Sequence, residues 1–256
     1  MMRITDTVKH IIIVNVILCL ATVVLAGRGI DISRYLALFF TDNPNFGFWQ
    51  PVTSMFMHSI TSPTHILFNM FALWMFGSRL EMEWGTGKFL AFYFITGIGA
   101  GLLHTIVNYY GVYSNVSILV DAGYNKADIF SVLNKGSFYY STLWENVLTP
   151  DQLLKLLKSY NTPAIGASGA IYGVMVAYAM TYPNEKLMLL FPPIPIKAMY
   201  LVGGLVTYDF LAGFFGGTGI FREGNIAHFA HLGGALAGFL LMWYFNKTQF
   251  NKNRWN

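Results

Sequence analysis

Ile165-Gly166-Ala167-Ser168-Gly169-Ala170-Ile171-Tyr172-Gly173 sets a serine between glycines at the mouth of an apolar run that continues to Tyr182. Small neighbours leave the backbone bare. A helix opening there points its first N–H groups outward without intrahelical partners. A hydroxyl beside free N–H donors supplies a nucleophile and half of an oxyanion site. Gly-x-Ser-Gly is too short to carry that reading alone, so the rest of the chain must supply a base. The run also bears on the fold class, because a helix apolar on every face has to be buried in protein or lipid.

Composition points to lipid. The chain has 256 residues, of which 55% are hydrophobic, 17% aromatic and only 11% charged; the mean hydropathy is +0.48. Soluble domains carry about 25% charged residues. A deficit spread along the whole length implies several transmembrane helices in one domain, residues 1–256. The net charge of +4 is small and dispersed, which argues against nucleic acid as a partner. The single cysteine, Cys19, lies inside an apolar run, so an internal disulfide is impossible and no cysteine-based metal site is expected.

Moving outward, a first apolar helix is expected over residues 10–26, retained rather than cleaved. Residues 27–64 mix charges, Pro and Asn with aromatics such as Phe46, Phe48 and Trp49. No run there reaches the ~20 residues that span a bilayer, so the segment reads as an interfacial loop. The second helix is expected over 65–80 and the third over 89–109, the latter glycine-rich. A polar insertion, 111–162, reads as an extramembrane excursion with one amphipathic helix capped by Thr149, with Pro150 at its first position. The fourth, fifth and sixth helices are expected over 168–182, 196–215 and 227–245, with Arg222 and Glu223 in the loop before the sixth. The fold expected is therefore all-α: a six-helix polytopic bundle.

Six spans put both termini on one face. The segments on that face hold Arg3, Lys9, Arg79, Lys88, Lys186, Lys197, Lys247, Lys252 and Arg254, against Arg28, Arg34 and Arg222 in the opposite short loops and four lysines in the long insertion. That bias places both termini in the cytoplasm. Ser168 then falls near the outer ends of the helices, level with His65 and Asn69 of helix two and with His228 and His231 of helix six. Polar groups inside a membrane are expensive, and their convergence marks a functional site. Gly169, Gly173 and Ala177 form a small-residue stripe on helix four, and Gly234 and Gly238 another on helix six. Two such stripes let the backbones pack closely and bring Ser168 within reach of His231, the geometry a serine nucleophile and histidine base require.

With these residues in view, the chain resembles the rhomboid intramembrane serine proteases. The matching residues are His65-Ile66-Leu67-Phe68-Asn69, Gly166-Ala167-Ser168-Gly169 with Tyr172, and His231-x-x-Gly234-x-x-x-Gly238, together with Glu81 and Gly85-Thr86-Gly87-Lys88. The resemblance covers nearly all the chain apart from 111–162. It implies Ser168 as nucleophile and His231 as general base, a dyad without a carboxylate. His65 and Asn69 would stabilise the oxyanion with the Ser168 N–H, and Tyr172 would pack on the imidazole, with Gly166 and Gly169 framing the serine. It also implies single-pass transmembrane substrates in a lipid bilayer, no cofactor and no metal, and a bacterial cytoplasmic membrane. The family's Trp-Arg pair appears here as Trp49-Gln50, which removes the arginine's loop contacts. His228 and His58 are expected to be structural, His228 alternatively facing water, and Asp209 a structural polar residue of helix five.

Other classes fit less well. There is no His-Glu-x-x-His motif for a metalloprotease, and Asp209 lacks the second aspartate of an aspartyl dyad. No lysine lies inside a helix for a Ser–Lys dyad, and no internal repeat suggests a transporter. The alternative from another class is a non-catalytic rhomboid-like protein that binds transmembrane clients.

Overall fold

Residues 10–27 contain no Asp, Glu, Lys or Arg, and they fold accordingly: α1 (Asp6–Ala26) is a single apolar helix. Two polar side chains in its apolar stretch bond to their own helix, Asn15 Nδ2 donating to Ile11 O at 2.7 Å and Thr22 Oγ1 to Leu18 O at 2.7 Å. Such back-bonding hides polar groups from lipid. The computed structural model describes residues 3–136, 139–188, 193–215 and 225–252.

The N-terminus of α1 is capped from elsewhere. Glu81 accepts from the N–H groups of Thr7 and Val8, both at 3.1 Å, and from the hydroxyls of Thr5 and Thr86. A carboxylate at a helix N-terminus offsets the dipole and satisfies orphan donors. Nearby, Lys88 lies 4.2 Å from the centre of the Phe245 ring. The start of the first helix and the late turns of the last therefore share one end of the bundle.

The loop after α1 contains α2 (Ser33–Leu36) and α3 (Gln50–Thr53). One side is buried through Phe39, Phe40, Met55 and Met57, whereas Phe48 is 85% exposed. Gln50 organises it: Oε1 accepts from Phe39 N at 3.1 Å, and Nε2 donates to Asn45 O at 2.7 Å. A neutral amide thus holds together two stretches of the loop.

The second apolar segment is longer than expected, running from Pro63 to Trp84 in three joined pieces. These are α4 (Pro63–Ala72), a π turn over Leu73–Gly77, and α5 (Ser78–Trp84). Gly85, with φ of +79°, turns the chain into the next helix.

The largest departure is α6, which does not end near residue 109 but continues over Thr86–Asp121. At 1.5 Å per residue it is about 54 Å long, far beyond the ~30 Å hydrocarbon layer. Val112, Val116 and Leu119 on its outer third recur at helical spacing and are buried. They nucleate a second core with Ile129 and Leu133 of α7 (Lys126–Leu133), Trp144, and Leu153, Leu156 and Tyr160 of α8 (Pro150–Asn161). Among the described residues the insertion therefore holds two α-helices of its own, not one. α8 begins with Thr149 and Gln152 exchanging both bonds of a capping box. Tyr160 ties it down, its hydroxyl donating to Asp42 O at 2.7 Å. Burial and the neighbouring Asp42 push this phenol up to about 12.

α9 (Ser168–Thr181) follows, then a hairpin of β1 (Lys186–Met188) and β2 (Pro195–Lys197), α10 (Ala198–Phe215) and α11 (Asn225–Lys252). The hairpin takes residues 196 and 197 from the expected fifth helix. Arg222, Glu223 and Arg254 lie outside the described residues. Among the described residues, α1, α6 and α10 are long and apolar enough to cross a membrane. α9 is as apolar but has only 14 residues, about 21 Å of helix.

Glycines bring the inner helices together. A Cβ on Gly234 would lie 1.8 Å from Gly169 O, and one on Gly238 2.7 Å from Gly173 O, so α11 and α9 run side by side and parallel. A Cβ on Gly169 would meet Ala100 Cβ at 2.4 Å, and Thr96 Oγ1 donates to Ala170 O at 3.3 Å, which sets α6 antiparallel to α9. α10 packs on both α9 and α11.

Candidate active site

Ser168 is the first residue of α9, directly after the turn made by Gly166 and Ala167. Gly166 has φ of +119°, and a Cβ there would stand 3.0 Å from the His65 ring. Both the backbone conformation and the close approach demand glycine. Gly166 N donates to Ser54 O at 2.9 Å, pinning the turn to the loop after α1. Because α9 is about 21 Å long in a layer of ~30 Å, a helix flush with one face starts roughly 9 Å below the other. Ser168 lies toward the end of the bundle opposite the Glu81–Lys88 face.

The parallel packing of α9 and α11 sets the central pair. His231 Nε2 lies 2.9 Å from Ser168 Oγ. Tyr172, one turn into α9, stacks flat on the His231 imidazole, with ring centroids 4.3 Å apart and planes 7° from parallel. That stacking fixes the plane of the imidazole while leaving its edge free to meet the serine.

His65 and Asn69 share a face of α4 and come to the same level. Ser59 N donates to His65 Nδ1 at 3.3 Å. Its proton accordingly sits on Nε2, the edge that faces Gly166 beside the serine. The buried Asn69 amide donates to His65 O, one turn back, at 2.7 Å; that bond does not run toward Ser168. His58 is buried beside His65, the two rings 5.1 Å apart.

One part of the site departs from the dyad expectation. Asp209 of α10 is 2% exposed. Its Oδ1 lies 3.2 Å from His231 Nδ1 and 2.5 Å from His228 Nδ1. A carboxylate therefore does join Ser168 and His231, and His228 Nδ1 turns to that same carboxylate. The cause is topological: α10 runs antiparallel to α11, so its last turns meet the first turns of α11. Two signals in the sequence pointed this way, a lone charge in an apolar helix and two histidines three apart on the next. Ligand-type atoms of Asp209, His228 and His231 lie within 4.8 Å of one another, a closeness the two hydrogen bonds account for. A groove between α9 and α10, lined by Val176, Met180, Val202 and Val206, lies two or more turns from Ser168 and has no titratable lining residue.

The rhomboid domain model matches residues 45–120 and 112–248. The presenilin-associated rhomboid-like protein A, mitochondrial, of Danio rerio is 29% identical over 232 residues, covering 89% of this chain and 45% of the relative. Rhomboid protease AarA of Providencia stuartii is 27% identical over 207 residues, covering 75% and 54%. Rhomboid protein 1, mitochondrial, of Saccharomyces cerevisiae is 25% identical over 184 residues, covering 72% and 38%. The chain thus spans about half or less of the length of these relatives. Their names, with that of a chloroplastic relative, give no support to the expected bacterial cytoplasmic membrane. The apolar helices and the matched domain make this an integral membrane protein, and the chain belongs to the rhomboid family.

Proposed function

We propose that this protein is an intramembrane serine endopeptidase that cleaves transmembrane segments of single-pass membrane proteins. The observation that carries the reading is the 2.9 Å approach of Ser168 Oγ to His231 Nε2, with the imidazole stacked on Tyr172. His231 takes the Ser168 proton as Oγ attacks the scissile carbonyl. The carbonyl oxygen becomes an oxyanion, accepting from the Ser168 N–H and the His65 Nε2–H, with Asn69 contributing once its amide turns from its own helix. One such donor is typically worth on the order of 10²–10³ in rate. His231 then returns the proton to the leaving amine, and water hydrolyses the acyl-enzyme with the same histidine as base.

The depth of Ser168 shapes the substrate. An intact helix holds its carbonyls in i to i−4 bonds, so the substrate must unwind locally. Gly or Pro near the end of its transmembrane segment makes this easier, and the glycine-framed serine favours a small residue before the scissile bond. Fluorophosphonate labelling tests the chemistry: the wild type is expected to label and Ser168→Ala is not. Equal labelling of the two would leave a non-catalytic client binder as the reading.

Entry is expected between α4 and α10, where Phe68 is 56% and Phe214 60% exposed. Phe214 also rests edge-on against Phe229 of α11, with centroids 5.2 Å apart. Phe68→Ala and Phe214→Ala should speed cleavage of a transmembrane substrate several-fold and affect a short soluble peptide less. Assaying both substrates with both variants decides this. An equal change for the two substrates rules out lateral gating by these rings.

A further inference from the structure

We propose that Asp209 is a positioning residue for His231: its carboxylate holds the imidazole with the proton on Nδ1 and the Nε2 lone pair turned to Ser168. The inference rests on the serine-protease reading above. Stacking on Tyr172 fixes the plane of the ring but cannot choose which nitrogen carries the proton. An acceptor at Nδ1 can, and Asp209 Oδ1 is 3.2 Å away. Bonds of this kind are often long before substrate arrives and tighten in the working complex.

The surroundings fit an ionised acceptor. Asp209 is 2% exposed in an otherwise apolar helix, a placement that requires partners. His228 Nδ1 supplies a second contact to the same oxygen at 2.5 Å. Gly213, one turn beyond Asp209, lets α10 come in close: a Cβ there would lie 3.3 Å from the Phe229 ring. Among the described residues, the groups around His231 are Ser168 and Tyr172 from α9, Asp209 from α10, His228 on its own helix and His65 from α4. Asp209 is the only carboxylate among them. When His231 takes the serine proton the imidazole becomes a cation, and the carboxylate balances that charge. No proton passes to Asp209.

The test is Asp209→Asn in the full chain, reconstituted with a transmembrane substrate. Asparagine keeps the shape but can present N–H donors to Nδ1, which favours the Nε2–H tautomer that cannot accept the serine proton. The expected loss in kcat is on the order of 10²–10⁴-fold, with KM within about twofold and the melting profile unchanged. The acid limb of any residual kcat profile should move to lower pH, because the imidazolium has lost its counter-charge. His228→Ala should lose less than about tenfold, since it removes only the second contact.

A purely structural aspartate would show the reverse pattern, with Asp209→Asn near wild type in kcat and Asp209→Ala unstable; that result overturns the proposal. Solid-state NMR of ¹⁵N-histidine protein, assigned with a His231→Gln sample, reads the tautomer directly and does not depend on turnover. The wild type should carry its proton on Nδ1 and Asp209→Asn on Nε2. A wild-type Nε2–H tautomer overturns the positioning role by itself. An inactive wild type with the expected tautomers would instead count only against the protease reading.

Discussion

Ser168→Ala and His231→Ala are each expected to reduce cleavage of a reconstituted transmembrane substrate by on the order of 10⁴-fold or more. The double variant should be no slower than either alone. The reason is mechanistic: a serine without its base is a weak nucleophile, and a base without its serine has nothing to deprotonate, so the losses do not add. Both side chains can be truncated without opening the bundle, because helix contact at this level runs through Gly169, Gly234 and Ala100 rather than through the reacting groups. Circular dichroism and detergent extraction should therefore match the wild type. Turnover within tenfold of wild type in either single variant would refute the pairing of these two residues.

Gly234→Ala is expected to damage both stability and catalysis, and Gly234→Val to do so more severely. The added Cβ would stand 1.8 Å from the Gly169 carbonyl oxygen, a backbone atom that no side-chain rotation can move. α11 must shift away from α9. Overpacking of this kind costs about 1–3 kcal/mol. The displacement also acts on the site, because His231 sits one turn before Gly234 and Ser168 directly precedes Gly169. A shift near 1 Å at the Oγ–Nε2 pair can lose about a hundredfold in rate. The measurements are a thermal melt in detergent and kcat on the same substrate. A wild-type melt together with wild-type turnover in Gly234→Ala would show that this contact does not set the Ser–His distance. Gly203 and Gly204 on α10 provide the comparison: a Cβ at either meets nothing within 4 Å, and alanine there should be tolerated.

The sequence by itself determined the class of the protein and the identity of the central pair. Apolar runs with few charges declared helices in lipid, because a bilayer leaves backbone polar groups no other partner. Glycine spacing on the fourth and sixth helices pointed Ser168 toward His231, because small residues at helical repeat define a face. Thr149 and Pro150 marked the start of α8 through local chain preferences alone. These are properties of neighbours in the chain, and local physics reads them.

What only the tertiary structure decided depends on distant segments meeting. Asp209 looked like an isolated polar residue until the antiparallel packing of α10 on α11 put its carboxylate against His231 and His228. Gln50 was legible as a departure from arginine, but its bonds to Phe39 and Asn45 exist only in the folded loop. α6 outran its expected end because Val112, Val116 and Leu119 found α7 and α8 to pack against, burial that a polar-looking stretch does not announce. Sequence patterns record what each segment needs buried or satisfied, whereas the partner that meets the need is set by the packing of segments far apart in the chain.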